Sequence, residues 1–475
     1  MINNLDRRID IVRDHLTHHN QQHVLQFADQ LDQTQLKQLI TEIENLDLVL
    51  IDELIRRFIV EPAGESLPEQ ILPPPVYPVE PPAGLSAKYQ QALDLGRRLI
   101  ADGKVAAFTV AGGMGTRLNF DGPKGLFPAT PLKRKTLFQI FAETIRATQK
   151  RHHGQIPWYI MTSSANHQTT VQAFKDNNYY QLDPDNLIFF RQGQMPALDS
   201  QGKILLGEPH RLALSPEGHG GSLRALFKSG ALDDMNRRQI EFISYFQVDN
   251  PLVKVVDPLF IGLHALDQAE MSSKALIKTE PLEKVGNFVL ADGKIQVIEY
   301  SDLPEELAFQ KNDDGELTFN LGSPAIHVIS RNFVQRLNEH GFSLPWHLAR
   351  KRVPFVDQNG QIVDPTEPNA IKMETFVFDA LPLAEKSIIL AIERVEEFAP
   401  IKNATGVDSL ESSLRLQTER AAQWLQKTGV DIPRSSDGAV DACLEISPLW
   451  ALDAEELIQK KPLLPIKPGL TYYFE

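Results

Sequence analysis

Residues 105–124 have the sequence VAAFTVAGGMGTRLNFDGPK, and this stretch decides the fold. The apolar run at 105–111 is typical of a buried strand, and glycines follow it at positions 112, 113 and 115. Two cations come next, Arg117 and then Lys124, which directly follows a proline. A strand that ends in a glycine turn presents bare backbone N–H groups, and these bind phosphates together with nearby cations. The stretch therefore predicts an α/β protein with a phosphorylated ligand.

The spacing of these glycines disfavours two common phosphate loops. A P-loop has the pattern G-x-x-x-x-G-K-[ST], and no Lys-Ser or Lys-Thr pair follows at that distance. A dinucleotide fingerprint has the pattern G-x-G-x-x-G, and Leu118 stands at its third glycine position. For the glycines alone, a turn without a ligand is the alternative. The two cations favour the binding function.

The composition limits the class of protein. A chain of 475 residues is long enough for two or three domains, and its net charge of −14 argues against non-specific nucleic-acid binding. The N-terminal residues contain no long apolar run, and no stretch of about 18 apolar residues occurs, so we expect neither a signal peptide nor a membrane span. A single cysteine, Cys443, excludes an intrachain disulfide. We therefore expect a cytoplasmic enzyme, and the sequence carries no signal for an oligomeric state.

Apolar spacing divides the chain into three predicted parts. Residues 1–84 combine helical spacing with a proline-rich connector. Residues 85–395 alternate apolar strands with helical stretches, which is typical of α/β units on a largely parallel sheet. Residues 396–475 are more polar at first, and we expect a small C-terminal domain there.

Individual elements are also predicted. Thr136 and Gln139 form a capping box at the start of a helix. Val24, Phe27 and Leu31 fit one face of an N-terminal helix. A second N-terminal helix is predicted from the spacing of Leu36, Ile40, Ile43 and Leu46. Strands are predicted at 105–111, 158–162, 187–190, 241–248 and 275–279.

Longer segments carry a resemblance to a known family. GGMGTRL followed by PKG resembles the signature of the nucleotide-sugar pyrophosphorylases. In its detail the chain is similar to the eukaryotic-type UDP-N-acetylglucosamine pyrophosphorylases, through further segments that keep the family order over roughly residues 100–410. These are KTLFQIFAETI from residue 135, PWYIMTS from 157, QGQMPAL from 192, PEGHGGSLRAL from 216, VDNPLVKVVDPLFIG from 248, VIEYSD from 297, NAIKMETFVFDAL from 369 and EFAPIKNATG from 397.

The resemblance implies a fold and a reaction. The fold is a central Rossmann-like nucleotidyltransferase sheet of the GT-A-like type, mixed and flanked by helices. The reaction joins UTP to N-acetylglucosamine 1-phosphate and releases UDP-N-acetylglucosamine and pyrophosphate. Because the sugar phosphate oxygen is itself the attacking group, the enzyme needs alignment, charge neutralisation and Mg²⁺ across the phosphates, and no covalent nucleophile.

The resemblance assigns the nucleotide to the glycine segment. Gly112 and Gly113 would let the backbone approach the nucleotide, with Val110 and Ala111 at the strand end against the base. Gln192 matches a family segment that recognises uracil, and an amide offers the donor and the acceptor that an imide edge requires.

The loop at 216–221 matches a second uracil-recognising segment. Gly218 and His219 are its candidate binding residues. Relatives commonly carry aspartate and asparagine where this chain has Glu217 and His219. Backbone contacts would survive that change, and the alternative for His219 is a loop histidine without a special role.

Charged residues are assigned to the phosphates. Arg117 suits the leaving β- and γ-phosphates, and Lys124 would reach the α-phosphate. Lys402 matches a family lysine that contacts phosphate from the start of the C-terminal domain. Asp249 follows the strand at 241–248, where α/β folds bind ligands, and it is the predicted Mg²⁺ ligand. Asp257 is a weaker second candidate.

The sugar is assigned to Gly286, Glu299, Asn320 and Ser323. A carboxylate such as Glu299 can accept two hydroxyl hydrogen bonds from a hexose. The family segment FNAGNIANH is FNLGSPAIH here, so Ser323 stands where an asparagine of the sugar pocket is expected. The identity of the sugar therefore stays open.

Two alternatives remain from the sequence. One is a uridylyltransferase for another hexose 1-phosphate, such as glucose or galactose. The other is a catalytically silent protein that binds UDP-sugars. The presence of Arg117, Lys124, Asp249 and Lys402 together disfavours the silent protein, which we would expect to have lost at least one of them.

Overall fold

The computed structural model describes residues 4–61, 68, 70–460 and 465–475. Contacts divide the chain into two compact units, each made of three segments. The first unit comprises Met1–Leu67, Gly193–Gly221 and Leu344–Val377. The second comprises Pro68–Gln192, Ser222–Ser343 and Phe378–Glu475. The division into three consecutive parts, 1–84, 85–395 and 396–475, stays a prediction.

The described residues form 14 α-helices and 21 strands. The helices are α1 Asn4–His18, α2 Gln33–Glu44, α3 Leu48–Ile55, α4 Ser86–Ala101, α5 Leu137–His152, α6 His167–Asp176, α7 Gly221–Lys228, α8 Ala231–Arg237, α9 Pro258–Leu266, α10 Glu305–Ala308, α11 Arg331–Arg336, α12 Arg394–Glu397, α13 Leu410–Lys427 and α14 Ala454–Lys460. The strands are β1 Ile71–Leu72, β2 Val105–Val110, β3 Trp158–Thr162, β4 Leu187–Arg191, β5 Gln194–Pro196, β6 Leu206–Glu208, β7 Arg211–Leu212, β8 Leu214–Pro216, β9 Phe242–Gln247, β10 Met271–Ile277, β11 Gly286–Ala291, β12 Lys294–Ile298, β13 Leu321–Ser323, β14 His327–Ser330, β15 His347–Lys351, β16 Phe355–Val356, β17 Ile362–Val363, β18 Ala370–Glu374, β19 Ser387–Ile392, β20 Ala442–Ile446 and β21 Leu470–Phe474.

A mixed sheet of 11 strands is the centre of the second unit. Its main path runs β1-β11-β13-β10-β14-β9-β2-β3-β4, with β12 beside β11 and β19 beside β10. The strands β9, β2, β3 and β4 are mutually parallel, whereas β14 is antiparallel to both β9 and β10. The predicted α/β fold with a mixed central sheet flanked by helices is confirmed.

The apolar run that begins the glycine segment forms the buried middle of this sheet. The β2 residues 105–108 are fully buried, as expected for a parallel strand covered on both faces. The adjacent helix α5 contributes Leu137, Phe138 and Phe141 to the same core. Thr136 accepts a hydrogen bond from the N–H of Gln139, but the Gln139 side chain donates to Glu143, so half of the predicted capping box forms.

The first unit has a core of its own. Ile40 and Ile43 of α2 pack in one cluster with Met195, Leu198 and Trp346, which come from the unit's other two segments. The strand pairs β5–β8 and β15–β18 lie in these segments.

One N-terminal helix prediction is wrong. The stretch around Val24, Phe27 and Leu31 forms two short 3₁₀ turns, Gln22–Leu25 and Ala28–Gln30. The i, i+3 spacing that suggested a helix also fits 3₁₀ turns, which bring residues three apart onto one side. The second prediction is confirmed for Leu36, Ile40 and Ile43 in α2, whereas Leu46 lies beyond its end.

The end of the second unit forms a small α/β cluster. The helix α13 packs Trp424 and Leu425 against Leu444 of β20 and Phe474 of β21. The strands β20 and β21 are parallel. Among the helices of the described residues, none combines the length and the apolar character needed to cross a bilayer.

Candidate active site

The loops at the carboxyl ends of three parallel strands carry most of the predicted nucleotide and metal residues. The glycine segment follows β2, Gln192 follows β4 and Asp249 follows β9. The ends of β2 and β9 are in register, because Val110 pairs with Gln247. Parallel strands bring these ends to one edge of the sheet, where α/β folds bind their ligands.

A buried asparagine after β3 holds the glycine segment in place. The Nδ2 atom of Asn166 donates to the carbonyl oxygens of Ala111, at 2.9 Å, and Gly113, at 3.3 Å. Its Oδ1 atom accepts from the N–H of Ser163 at 2.8 Å. Sequence reasoning missed Asn166, and its place directly after a strand parallel to β2 was the available signal.

The turn also brings Lys124 back to the glycines. The N–H of Lys124 donates to the carbonyl oxygen of Gly113 at 3.0 Å. The neighbouring residues Met114 and Pro123 pair with each other in an isolated antiparallel β-bridge. The loop that contains Arg117 is therefore closed at its base.

Gly112 lies directly under the amide of Gln192. A Cβ atom on Gly112 would be 2.8 Å from the Gln192 Oε1 atom, which is closer than van der Waals contact allows. Gln192 is itself buried, and its N–H donates to the carbonyl oxygen of Thr162 at the end of β3. The predicted base-recognising amide and the predicted nucleotide loop thus meet, and only glycine leaves room for that contact.

Lys124 and Asp249 form an ion pair at this edge. The Lys124 Nζ atom lies 3.6 Å from the Asp249 Oδ2 atom, and both side chains are largely buried. Both charges are largely withdrawn from water. The lysine of such a pair can bind a phosphate instead, and the carboxylate can bind a metal ion instead.

The backbone just before Lys402 is hydrogen-bonded to Asp249. The N–H of Ile401 donates to the carbonyl oxygen of Asp249 at 2.9 Å. The Lys402 Nζ atom lies 3.7 Å from the Asp408 Oδ2 atom and 5.6 Å from the centre of the Phe398 ring. The structure therefore brings the backbone of the Lys402 segment to the metal candidate, and Asp408 is a partner that the sequence did not reveal.

Arg117 is the most exposed of the predicted cations. It lies in a 3₁₀ turn, Thr116–Leu118, within the glycine loop. Among the residues that the structure describes, its side chain has no hydrogen-bond or ion-pair partner. Its guanidinium group is available to an anionic ligand on that loop.

Gly218 and His219 belong to the first unit and are held there by the segment after β18. Gly218 has a φ of 82°, and a Cβ atom there would be 2.3 Å from the Thr375 carbonyl oxygen. The Nδ1 atom of His219 accepts a hydrogen bond from the N–H of Val377 at 3.0 Å, and its ring packs on Phe376. Burial lowers the pKa of His219 to about 4, so the ring is neutral near pH 7. His219 therefore helps to hold this loop against the segment after β18, and its contact with the nucleotide stays a prediction.

Three of the four predicted sugar residues lie close together. Gly286 of β11 pairs with Ser323 of β13. The Glu299 Oε1 atom is 3.8 Å from the position that a Cβ atom on Gly286 would occupy. Asn320, just before β13, is fixed through its carbonyl oxygen, which accepts from the N–H of Lys278 at 2.8 Å.

Asp257 is committed to the protein itself. It caps α9 by accepting from the N–H of Leu259, and its Oδ2 atom lies 2.6 Å from the fully buried Lys274 Nζ atom. Burial raises the pKa of Asp257, but the charges of Lys274 and Lys254 outweigh this effect and hold it at about 2. We therefore withdraw Asp257 as a metal candidate.

Asp249 suits a metal that is shared with phosphates. Among the described residues, no group of three or more histidine, cysteine, aspartate or glutamate side chains could hold a metal ion. Mg²⁺ commonly uses one or two carboxylates and takes its other ligands from substrate phosphates and water. A single buried carboxylate beside a glycine loop and Lys124 fits that pattern.

Comparisons with known proteins agree with this geometry. The profile of a family described as UTP–glucose-1-phosphate uridylyltransferase matches residues 55–430. The chain is 35% identical over 473 residues to the mouse UDP-N-acetylhexosamine pyrophosphorylase-like protein 1, with 94% of this chain and 93% of that protein covered. It is 37% identical over 401 residues to the Saccharomyces cerevisiae UDP-N-acetylglucosamine pyrophosphorylase, with 82% of each covered.

A solved structure shares the fold over the whole chain. The crystal structure of the Trypanosoma brucei uridine diphosphate N-acetylglucosamine pyrophosphorylase, in complex with an inhibitor, is 27% identical to this chain. It superposes with a TM-score of 0.85 over 100% of this chain and 99% of its own.

Proposed function

Because the chain belongs to the UTP–glucose-1-phosphate uridylyltransferase family and is a uridylyltransferase, we propose that it joins UTP to N-acetylglucosamine 1-phosphate. The products are UDP-N-acetylglucosamine and pyrophosphate. The observation that carries the proposal is the meeting of Lys124, Asp249 and the Lys402 segment beside the glycine loop. The names of the relatives support the N-acetylated sugar.

Each cation has a distinct task in the proposed reaction. Lys124 neutralises the α-phosphate, where negative charge builds during in-line attack. Arg117, exposed on the glycine loop, contacts the β- and γ-phosphates that leave as pyrophosphate. Lys402, whose segment is bonded to the Asp249 backbone, also contacts phosphate in this proposal. The attacking oxygen belongs to the sugar phosphate, so the protein contributes alignment and charge.

Asp249 would hold Mg²⁺ in this proposal. When bound, Mg²⁺ neutralises phosphate charge and fixes the geometry of the triphosphate. Asp249 would then have the metal as its partner in place of Lys124, and Lys124 would be left to neutralise phosphate charge.

Base and sugar are recognised by neutral groups and one carboxylate. In this proposal the amide of Gln192 pairs with the uracil edge, and its packing against Gly112 of the glycine loop supports that role. Glu299, near Gly286, accepts hydrogen bonds from the hexose hydroxyl groups.

A second candidate is a uridylyltransferase for a hexose 1-phosphate without the N-acetyl group. Ser323 is the observation that favours it, because it pairs with Gly286 where the family pattern has an asparagine. A serine side chain is shorter and would reach less far toward an acetamido group.

A panel of sugar 1-phosphates tests the proposal. Pyrophosphate release from UTP is measured with N-acetylglucosamine, N-acetylgalactosamine, glucose and galactose 1-phosphates, each with and without Mg²⁺. We expect the highest kcat/KM with N-acetylglucosamine 1-phosphate and no release without a sugar phosphate. Equal values for glucose and N-acetylglucosamine 1-phosphates would contradict the proposed substrate. Release that ignores the sugar phosphate would contradict the reaction.

A further inference from the structure

We propose that Asn250 is a positioning residue for the transfer reaction. Its side chain fixes the backbone segment that leads to Lys402 against the strand end that carries Asp249. This inference rests on the proposed function for its kinetic consequence, but its structural part is independent of the substrate.

Both ends of the Asn250 amide are bonded to one distant segment. The Nδ2 atom donates to the carbonyl oxygen of Glu397 at 2.6 Å, and the Oδ1 atom accepts from the N–H of Ala399 at 3.0 Å. The preceding residue adds a third bond, because the carbonyl oxygen of Asp249 accepts from the N–H of Ile401. Three hydrogen bonds thus join residues 249–250 to alternate residues of 397–401, in the manner of a short ladder.

Burial makes these bonds difficult to replace. Asn250 is only 4% exposed, so water is not at hand for the groups that its removal would leave unpaired. Because the side chain is buried and bonded at both ends to the 397–401 segment, we assign it a positioning role through that segment. Any effect of Asn250 on the reaction must pass through the residues that it holds.

The segment is anchored from its other side as well. The buried Glu397 carboxylate is bonded to Lys274 and lies 3.4 Å from the Lys254 Nζ atom. The Ser413 hydroxyl of α13 donates to the carbonyl oxygen of Ala399 at 2.7 Å. The backbone just before Lys402 is therefore fixed on both sides.

Beyond this anchor the chain becomes exposed. The Lys402 side chain is half-exposed, and Val407 in the following loop is 81% exposed. Asp408, which pairs with the Lys402 side chain, is on that loop. The backbone of Lys402 is therefore fixed, whereas its side chain can leave Asp408 and bind phosphate. Asn250 determines where that backbone lies relative to Asp249.

Kinetics of three variants test the positioning role. Asn250→Ala removes both bonds to the 397–401 segment and also the local bond from the Leu252 N–H to the Asn250 Oδ1 atom. Asn250→Asp keeps an acceptor for Ala399 but loses the donor to Glu397. We expect each to lower kcat by about 10- to 100-fold while the KM for UTP changes by less than about threefold, since displaced groups lose transition-state contacts first. The matched control is Asn338→Ala, because Asn338 is also buried and donates to the carbonyl oxygens of Leu223 and Val334. We expect the control to keep kcat.

A double-variant comparison separates positioning from general damage. If Asn250 acts through Lys402, Asn250→Ala in a Lys402→Ala background should lower kcat by no more than about threefold further. Losses that multiply in full would overturn the proposal, and so would an unchanged kcat in Asn250→Ala and Asn250→Asp.

Hydrogen exchange tests the anchor without any substrate. In Asn250→Ala, the amides of Ala399 and Ile401 should exchange at least about tenfold faster than in the wild-type protein, and Asn338→Ala should leave them unchanged. Unchanged protection in Asn250→Ala would overturn the anchor itself. If the wild-type protein protects these amides as expected but transfers no uridylyl group, the proposed function is contradicted. Asn250 would then keep its structural role and lose its kinetic role.

Discussion

The Nζ atom of Lys124 lies 3.6 Å from the Oδ2 atom of Asp249, and the two side chains are 16% and 12% exposed. The two residues come from different loops, after β2 and after β9, which the parallel sheet places side by side. In the protein without ligand each charge is the counter-ion of the other. In the proposed reaction, UTP and Mg²⁺ would each offer one of these residues a new partner.

Replacing Lys124 should affect the reaction far more than the fold. Lys124→Ala is expected to lower kcat by at least about 100-fold, because one fixed charge at a reacting phosphate is typically worth several kcal/mol. The matched control is Lys104→Ala, which removes a lysine from the opposite end of β2, where it pairs with Glu241. Steady-state kinetics and thermal unfolding of both variants provide the measurement. A Lys124→Ala enzyme with nearly wild-type turnover would refute the assigned role.

Asp249 should determine the requirement for Mg²⁺. Asp249→Asn keeps the shape of the side chain but removes its charge, so the Mg²⁺ concentration for half-maximal activity should rise by about tenfold or more. Activity is titrated with Mg²⁺ for the wild type, for Asp249→Asn and for Asp102→Asn, an exposed residue that follows α4. Identical titrations for all three proteins would show that Asp249 is not a ligand.

Asp257 should matter for stability instead. Removing its charge leaves Lys274 buried with one carboxylate fewer, so Asp257→Asn should lower the free energy of unfolding by about 3 kcal/mol. Asp233→Asn, at an exposed position in the first turn of α8, should change it by less than about 0.5 kcal/mol. Urea unfolding followed by circular dichroism measures both. A stable Asp257→Asn with an altered Mg²⁺ requirement would restore Asp257 as a metal ligand.

His219 predicts a specific dependence of stability on pH. Burial lowers its pKa to about 4, whereas a histidine in an unfolded chain has a pKa near 6.5. Below about pH 6.5 this histidine binds a proton in the unfolded state but stays neutral in the folded state. The free energy of unfolding therefore falls as the pH drops from about 6.5 to about 4. Above pH 7 this histidine contributes no slope.

The variant His219→Asn removes that titration. The difference in the free energy of unfolding between the wild type and His219→Asn should therefore be constant above pH 7 and should shift in favour of the variant as the pH falls toward 4. Urea unfolding at several pH values measures the difference. Parallel pH profiles would mean that His219 is not buried in neutral form.

The sequence was sufficient where the local signal fits one kind of element only. The strand at 105–110 and the glycines after it could be predicted because burial, strand propensity and turn chemistry lie within a few adjacent residues. The strand predicted at 158–162 has the same bounds in the structure, for the same reason. The error at Val24 and Phe27 arose where a short run of apolar residues fits more than one kind of helix.

Contacts between distant segments could not be predicted in this way. Asn166 holds the glycine loop from another strand, and Asn250 bonds to residues almost 150 positions later. Asp257 is the clearest case, because its carboxylate after an apolar segment resembles a metal ligand until Lys274 is placed against it. The charge pattern alone does not show which anion a buried cation will meet.

The construction of the first unit has a consequence for synthesis of the chain. Its N-terminal helices bury Ile40 and Ile43 against residues from the segments 193–221 and 344–377, so their partners are translated much later. At about 5–20 residues per second, a ribosome needs on the order of 15–60 s to travel from residue 67 to residue 377. For that time the first helices to emerge carry an apolar face without its native cover. The earliest part of the nascent chain is thus among the last to complete its core.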